Sequence, residues 1–270
     1  MKRYYKRVLT IAGSDPSGGA GIQADLKTFS ACGCFGTSAI VAVVDENTVG
    51  VTGVYPIPVD FVVGQIKSVL DDIGTNTVKI GMLHSSELIR AVRDTLLTYK
   101  IKNIVLDPVM VATSGDRLLQ DEAIGTLKNE LVPFARIITP NLPEAEVLLG
   151  RKINGQRDFP LAIRELSANR RMSVLLKAGH LKEETLTDMF YNAETDEMIE
   201  LTSKRIHTKN THGTGCTFSS AIAAFLAHNM SLNEAVCRAK EYMESAIAVG
   251  AEYEIGKGHG PVHHFFKFWE

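Results

Sequence analysis

Short apolar segments of strand character alternate, along the first two thirds of the chain, with longer segments whose apolar residues recur at helical spacing. Alternation of this kind is typical of βαβ units, so we predict an α/β fold with a mostly parallel sheet covered by helices on both faces. The predicted strands are 8–12, 38–44, 77–80, 103–106, 136–138 and 174–176. The predicted helices between them are 22–32, 59–70, 87–99, 122–131, 144–149 and 159–168.

The pattern changes in the last third of the chain. Two apolar segments, 189–191 and 198–201, flank a polar turn and predict an antiparallel hairpin at one edge of the sheet. Helices are predicted at 215–228 and 232–250, the second preceded by a capping box. The sequence shows no internal repeat, low-complexity linker or break in composition, so the whole chain, 1–270, is predicted to be one domain.

Composition excludes several classes of partner. A formal net charge of −2 argues against nucleic acid or an anionic membrane as the main ligand. The four cysteines show no paired spacing for a metal. No apolar run reaches the roughly 18 residues of a membrane helix. The basic N-terminus lacks the apolar core of a signal peptide, because Ser14-Asp15-Pro16 interrupts it. We therefore expect a cytoplasmic protein with reduced thiols.

Polar or glycine residues follow five of the predicted strands. They are Gly13-Ser14-Asp15, Asp45-Glu46, Asp107, Thr139-Pro140-Asn141 and Lys177. The carboxyl ends of parallel strands meet at one edge of a sheet, and in open α/β sheets that edge binds ligands. We therefore predict the active site there, with Lys177 requiring an anion beside it.

The segment 211–216 is a glycine-interrupted turn that runs into a helix. The first N–H groups of such a helix are unpaired and lie at the positive end of its dipole, so they form a ready site for phosphate. The simpler interpretation is an ordinary turn before a buried helix. Cys216 favours the functional interpretation, because we expect a thiol at a helix N-terminus to be acidified and to face the bound anion.

Other polar residues allow two interpretations each. Asp25 lies on the shoulder of the apolar stripe of its predicted helix, beside a glycine loop, and is either solvated or functional. Asn141 and Glu144 fit a helix-capping pair or a site for a metal–phosphate group. Lys240 lies at the edge of an apolar stripe, where its stem could simply pack. The histidines of the segment 259–264 indicate a packed tail.

Three phosphate-binding patterns compete. The Walker A motif is absent, which excludes a P-loop enzyme. Residues 19–24 match the G-x-G-x-x-A turn of dinucleotide-binding proteins, with Asp45 as the ribose-binding acid, but this leaves Lys177 and the turn 211–216 unused. The third alternative uses both glycine-rich segments for phosphoryl transfer. A nucleotide-sensing module without catalysis remains open.

Several long motifs resemble a known family. They are TIAGSDPSGGAGIQADLKT at 10–28, KIGML at 79–83, LDPVM at 106–110, TPNLPEA at 139–145, KNTHGTGCT at 209–217 and GPVHH at 260–264. Together they resemble the hydroxymethylpyrimidine and phosphomethylpyrimidine kinases of thiamine synthesis. These enzymes belong to the ribokinase-like superfamily, as do pyridoxal kinases. The resemblance covers nearly the whole chain.

The resemblance implies a three-layer α/β sandwich, a homodimer, and ATP-dependent phosphorylation of hydroxymethylpyrimidine and then of its monophosphate, with Mg²⁺. The residues that it implies at the pyrimidine are Gly13, Asp25, Glu46 and Val109. Those implied at the nucleotide are Asn141, Glu144, Lys177, Asp188, Gly215 and Lys240, with Glu144 and Asp107 at the metal. The anion hole is implied at Gly213, Thr214 and Gly215. Catalysis is expected of these three residues together with Lys177 and Cys216, the last as the base that removes the acceptor proton.

One position departs from the family. The pyrimidine kinases usually read Ala-Gln-Asn-Thr where this chain reads Asp45-Glu46-Asn47-Thr48. A glutamine can both donate and accept at the edge of an aminopyrimidine, whereas an ionised glutamate only accepts. The phenolic hydroxyl of pyridoxal can donate to a glutamate, so vitamin B6 phosphorylation is the alternative activity.

Overall fold

The computed structural model describes residues 2–110, 121–167 and 172–269, and its elements follow the predicted alternation. The strands are β1 Arg7–Ala12, β2 Phe35–Ile40, β3 Ala42–Asn47, β4 Gly50–Pro56, β5 Thr77–Ile80, β6 Ile104–Leu106, β7 Ile137–Ile138, β8 Ser173–Leu176, β9 Thr185–Asn192 and β10 Glu197–Lys204. The α-helices are α1 Gly21–Ala31, α2 Val59–Asp72, α3 Ser86–Thr98, α4 Asp121–Thr126, α5 Leu142–Leu149, α6 Phe159–Leu166, α7 Thr214–Ala227 and α8 Leu232–Gly250.

Within the described ranges, eight strands form one sheet in the order β10-β9-β8-β7-β6-β5-β1-β2. The strands from β8 to β2 are parallel, and β9 and β10 add an antiparallel hairpin at one edge. The predictions of a mostly parallel sheet and of an edge hairpin are confirmed. Because the parallel strands end at the same edge, the polar residues that follow β1, β6, β7 and β8 converge there.

Helices cover both faces of this sheet, as the alternation predicts. In β1 the side chains of Leu9 and Ile11 join one apolar cluster with residues of α2, α3, α5 and α6. Val8, on the opposite face, joins a second cluster formed with residues of α1, α7 and α8. The period of two along the strand thus divides the core between two helical layers, which gives the three-layer sandwich.

The predicted strand 38–44 is wrong, because the chain divides there into two strands. β2 ends at Ile40, and β3 begins at Ala42 and pairs antiparallel with β4 in a separate two-stranded sheet. Residues 39–44 are continuously apolar, so the sequence carries no sign of the break. Glu46 therefore lies inside β3, at an irregularity in the β3–β4 pairing, rather than after a strand of the main sheet.

The predicted helices differ from the observed ones mainly at their ends. α8 has the predicted bounds, and its capping box from Ser231 to Glu234 is present. The predicted helix 122–131 is α4 followed by a π-helical turn, Leu127–Leu131. The predicted helix 159–168 ends at Leu166, and position 168 lies outside the described residues. In the part of the chain that the structure describes, no helix has the length and apolar character needed to span a bilayer.

The prediction of a packed tail is confirmed for His263 and His264, which are buried, whereas His259 is exposed. His264 is buried, and its Nε2 lies 3.1 Å from the hydroxyl of Thr217. The hydroxyl of Tyr242 donates to the backbone oxygen of His264 at 2.7 Å. The ring of His263 lies between those of Tyr253 and Trp269, at centroid distances of 4.9 and 4.3 Å. The tail thus covers one side of the α7–α8 core.

We expect His264 to make the fold sensitive to acid. Burial lowers the pKa of its imidazole from 6.5 to about 3, and the positive charge of Lys27 adds to this. The unfolded chain therefore binds a proton that the folded chain does not, so stability falls by up to ~1.4 kcal/mol per pH unit as the pH decreases through this interval. Urea unfolding of His264→Gln should depend less steeply on pH between 6.5 and 4 than that of the parent. His259→Gln, which changes an exposed histidine of the same segment, should keep the parental slope; equal slopes for His264→Gln and the parent would contradict the prediction.

Candidate active site

The loop between β1 and α1 is folded around the carboxylate of Asp15. The backbone N–H of Ser17 donates to its Oδ1 at 2.8 Å, and that of Ala20 donates to its Oδ2 at 2.6 Å. The Nε2 of His212, which is 197 residues away in sequence, lies 2.8 Å from the same Oδ2. This buried carboxylate therefore joins the first glycine-rich segment to the second, as expected of two segments that serve one site.

The second glycine-rich segment begins α7. Gly213 caps this helix in the left-handed region, at φ 74°, without a side-chain cap. A Cβ atom at Gly213 would lie 1.8 Å from the backbone oxygen of Gly19, so only glycine fits between the two segments. The N–H groups of Thr214, Gly215 and Cys216 follow in the first helical turn, where no side chain from the cap competes for them. This geometry suits the predicted anion hole.

Lys177 lies directly beneath this turn. A Cβ atom built at Gly215 would be 3.2 Å from the Nζ of Lys177 and 3.5 Å from Oδ2 of Asp107. The Nζ donates to Oδ1 of Asp107 at 3.0 Å, which supplies the anion that the sequence required. Thr139 and Ser219 also donate to this carboxylate, at 2.9 and 3.3 Å. Burial opposes the charge of Asp107, but Lys177 and Lys79 outweigh it and lower its pKa.

Glu144 adds a second carboxyl group to this cluster. The capping box is present: Asn141 Oδ1 accepts from the Glu144 N–H at 2.9 Å, and Glu144 Oε2 accepts from the Asn141 N–H at 2.8 Å. Burial and the charge of Asp107 together raise the pKa of Glu144 to about 7, against the opposing effects of Lys177 and the Asn141 N–H. The capping interpretation of this pair is therefore confirmed, and a role at a metal–phosphate group stays a prediction.

The carboxyl groups of Glu144 and Asp107 suit Mg²⁺, which prefers oxygen ligands. The raised pKa of Glu144 is the mark of a buried carboxylate that lacks sufficient positive charge in this structure. A divalent cation would supply that charge. The residues present thus fit the predicted metal.

Asp188 and Lys240 form an ion pair at the same edge. The Nζ of Lys240 donates to Oδ2 of Asp188 at 2.8 Å and to the hydroxyl of Ser203 at 3.0 Å. Oδ1 of Asp188 accepts from the N–H of Ala178 at 2.7 Å, so the pair is fixed to the residue that follows Lys177. Lys240 is thus held by a counter-charge and does not simply pack its stem. Contact of either residue with a nucleotide stays a prediction.

The thiol of Cys216 is not acidified, contrary to the prediction. Burial raises its pKa to about 11; Lys79 acts in the opposite direction, and the charges of Asp25 and Asp107 raise the pKa again. The dipole of α7 favours a thiolate, but a helix terminus contributes only a limited stabilisation, and the loss of hydration outweighs it here. The thiol is therefore neutral near neutral pH in this state.

Lys79 is a site residue that sequence reasoning missed. Both Lys79 and Asp25 are fully buried, and the Nζ donates to both carboxylate oxygens of Asp25 at 2.9 Å. Thr10 and Ser220 donate to the same carboxylate at 2.5 and 2.7 Å. A substrate contact of Asp25 stays a prediction, and it would require one of these hydrogen bonds to be exchanged. The available signal was a lysine within the fully buried strand β5.

The remaining predicted substrate residues follow β1 or β6 or lie on β3. Glu46 Oε1 is 3.9 Å from His212 Nε2. A Cβ atom at Gly13 would lie 3.0 Å from the Cε of Met82, so glycine allows Met82 to approach the end of β1 closely. Val109 is held by a hydrogen bond from its N–H to the backbone oxygen of Asp107, at 2.8 Å. Asp45 is exposed on β3, outside the main sheet, so the arrangement of the dinucleotide alternative is not formed.

A mostly parallel sheet with helices on both faces, and a glycine-capped helix N-terminus above a lysine and two carboxyl groups, are features of a phosphotransferase of the ribokinase-like class. The chain belongs to the phosphomethylpyrimidine kinase family, whose model matches residues 15–263. The resemblance in the sequence is thereby confirmed.

Individual relatives agree with this assignment. The hydroxymethylpyrimidine/phosphomethylpyrimidine kinase of Rhizobium meliloti is 48% identical over 97% of this chain and 98% of its own. Among solved structures, an ADP complex of Bacillus subtilis pyridoxal kinase has a TM-score of 0.89 and 37% identity, covering 98% of this chain and 99% of its own. The phosphomethylpyrimidine kinase of Clostridium difficile has a TM-score of 0.77 and 42% identity, covering 89% of this chain and 99% of its own.

The buried pair of Lys79 and Asp25 should be more costly to break than to remove. We expect Lys79→Met to destabilise the fold by about 3–5 kcal/mol, because it leaves the carboxylate of Asp25 buried without its cation. Adding Asp25→Leu should recover much of this loss. The free energy of unfolding of the two single variants and the double variant, from urea titration, measures the coupling. Arg90→Met, which breaks the exposed pair with Glu130, is the control and should cost less than about 1 kcal/mol. Additive losses from Lys79→Met and Asp25→Leu would contradict the expectation.

Proposed function

We propose that the protein transfers the terminal phosphoryl group of ATP to the hydroxymethyl group of hydroxymethylpyrimidine, and then phosphorylates the resulting monophosphate. The observation that carries the proposal is the position of the α7 N-terminus directly above Lys177 and Asp107, at the carboxyl edge of the sheet. Phosphoryl transfer requires in-line positioning together with cations and N–H dipoles around the moving group. These residues supply the lysine and the dipoles, and the family supplies the substrate class.

In this proposal Lys177 and the turn Gly213–Gly215 act on the phosphates. The ammonium group of Lys177 is oriented by Asp107, and we propose that it stabilises negative charge that shifts as the phosphoryl group leaves the nucleotide. The N–H groups of the turn receive the transferred group. Glu144 and Asp107 would hold Mg²⁺, which, when bound, neutralises phosphate charge. Asn141, Asp188, Gly215 and Lys240 are proposed at the nucleotide.

The two acceptors make different demands on a base. A hydroxymethyl group must lose its proton during transfer, whereas the acceptor oxygen of the monophosphate is already largely ionised at neutral pH. We propose that Cys216, at the mouth of the anion hole, accepts the hydroxyl proton as a thiolate. Because its thiol is neutral in the substrate-free state, the active fraction should increase with pH. Cys216 should therefore matter most in the first of the two transfers.

The acceptor is proposed to lie near Gly13, Glu46 and Val109, with Asp25 beneath. ATP as co-substrate, Mg²⁺, a homodimer and a cytoplasmic location are likewise proposals from the family. Pyridoxal is the second candidate acceptor, because Glu46 can accept a hydrogen bond from a phenolic hydroxyl and because the fold matches a pyridoxal kinase over nearly its full length. The pyrimidine remains the favoured acceptor, since the family model is that of the pyrimidine kinases.

Replacing Cys216 by alanine should slow the first transfer selectively. We expect kcat for hydroxymethylpyrimidine to fall by roughly 10²–10⁴, the range of a positioned proton-transfer group. kcat for the monophosphate should fall much less. In the parent the first kcat should increase between pH 7 and 9, and this increase should be lost in Cys216→Ala. An ADP-release assay with each acceptor measures both. Cys237→Ala, a thiol change on α8, is the control; an equal loss for the two acceptors would show that the cysteine does not act as the base.

Substrate choice should depend on Glu46 and on pH. An ionised glutamate opposes the ring nitrogen lone pair of an aminopyrimidine unless a proton is shared between them. The KM for hydroxymethylpyrimidine should therefore increase as the pH rises above neutrality, and Glu46→Gln should flatten that dependence. ADP release with hydroxymethylpyrimidine and with pyridoxal, across pH and in both enzymes, tests the acceptor and the shared proton together. A pH-independent KM in the parent would exclude the shared proton, and a much higher kcat/KM for pyridoxal would overturn the assignment of the acceptor.

A further inference from the structure

His212 joins three segments of the site that are far apart in sequence. Its Nε2 lies 2.8 Å from Oδ2 of Asp15, in the β1–α1 loop, and 3.9 Å from Oε1 of Glu46, on β3. Its backbone N–H donates to the oxygen of Gly260 at 3.0 Å, in the C-terminal segment. The side chains of His212 and Asp15 are almost completely buried. His212, which belongs to the turn 211–216, thus brings together the β1–α1 loop, the two-stranded ribbon of β3 and β4, and the C-terminal segment.

The packing around the imidazole leaves no freedom to move it alone. A Cβ atom at Gly19 would lie 2.4 Å from Cδ2 of His212, and one at Gly213 would lie 1.8 Å from the oxygen of Gly19. The imidazole therefore occupies the space that a side chain at position 19 would need. Gly213, the residue after His212, begins the predicted anion hole. A displacement of His212 would move both glycine-rich segments, so its position fixes their register.

The charges around His212 favour its protonated form. Burial lowers the pKa of the imidazole, but the hydrogen bond and charge of Asp15, together with the charge of Glu46, outweigh burial and raise it above 6.5. Burial opposes the charge of Asp15 as well, yet the hydrogen bonds from His212, Ser17 and Ala20 hold its pKa far below the usual range. Among the described residues, Asp15 and Glu46 are the charged side chains that act on the ring, and the C-terminal segment faces it with backbone.

We propose that His212 is a positioning and specificity-determining residue, which bridges Asp15 and Glu46 and so holds the acceptor-binding carboxylate in register with the phosphoryl-binding turn. This inference rests on the proposed function, which it deepens. Without a cation between them, Glu46 would face the carboxylate of Asp15 across a buried gap. With the imidazolium in place, the three groups carry one net negative charge, and Glu46 serves as a hydrogen-bond acceptor. The site thus takes an uncharged heteroaromatic alcohol whose ring edge donates a hydrogen bond.

The first test uses substrate-free protein with ring-labelled histidine, titrated by NMR. His212 should titrate above pH 6.5, and Glu46→Gln should lower its midpoint by at least about 0.7 pH unit, the effect of one charge at this distance in water, because burial strengthens the interaction. Asp15→Asn should lower the midpoint further. Glu184→Gln, which removes the carboxylate beside the exposed His207, is the matched control and should leave the His212 midpoint unchanged. The signal is assigned by its loss in His212→Gln or, if that variant does not fold, by its shift in Asp15→Asn.

Two outcomes of the titration would overturn the proposal. One is a His212 midpoint that Glu46→Gln does not change. The other is a loss of the His212 signal on addition of one equivalent of Zn²⁺, which would show that Asp15, Glu46 and His212 hold a metal ion instead of sharing a proton. An unchanged spectrum with Zn²⁺ supports the bridge.

The second test is a double-variant cycle in kcat/KM for hydroxymethylpyrimidine. His212→Gln should lower kcat/KM at least tenfold in the parent enzyme. In the Glu46→Gln background the decrease should be at least threefold smaller, because position 46 then carries no charge for His212 to hold. His207→Gln is the control in both backgrounds. If His212→Gln lowers kcat/KM by the same factor in both backgrounds, His212 has only a structural role and the proposal is overturned. If the parent itself does not phosphorylate the pyrimidine, the proposed function fails, while the NMR titration still decides the role of His212.

Discussion

A buried ammonium group requires a counter-charge, and this requirement organises the carboxyl edge of the sheet. Lys177 meets it through Asp107, and Lys79 meets it through Asp25. Each pair joins a strand to a distant part of the chain, and Ser219 and Ser220 of α7 donate to the two carboxylates. Hydrogen bonds to both ion pairs therefore hold α7 against the sheet, and they orient its N-terminus toward Lys177. The position of the α7 N-terminus, where we propose the anion hole, therefore depends on this arrangement as well as on Gly213.

The same arrangement leaves the site short of positive charge. Asp107 is compensated by lysine, but Glu144 is not fully compensated, and its raised pKa reports this. A site with an incompletely compensated carboxyl group favours a ligand that carries a bound cation, such as a metal–nucleotide complex. In the proposed function, the cation and the phosphates of such a ligand would complete this charge balance, which would account for two carboxyl groups beside a phosphate site.

The sequence predicts the features that depend on neighbouring residues. Both capping boxes, at Asn141–Glu144 and Ser231–Glu234, are local, and a spacing of three residues was sufficient to find them. The division between β2 and β3 was not predictable, because it depends on where the chain leaves the main sheet and the apolar run continues through it. Lys79 was missed for a similar reason, since its partner Asp25 is 54 residues away. The predicted direction of the Cys216 pKa shift was wrong. The sequence reveals the helix terminus, which lowers the pKa, but not the depth of burial, which raises it.

The ribbon of β3 and β4 carries Glu46 and, among the described strands, shares no ladder with the eight-stranded sheet. Substitutions in the ribbon therefore break no ladder hydrogen bond of that sheet, although Ala42 and Val44 pack in its core. In the proposed function, the acceptor-recognition residue Glu46 and the phosphoryl-transfer residues Lys177 and Asp107 thus belong to different sheets or their edges. Acceptor choice could therefore be altered at Glu46 without changing any residue of the eight-stranded sheet.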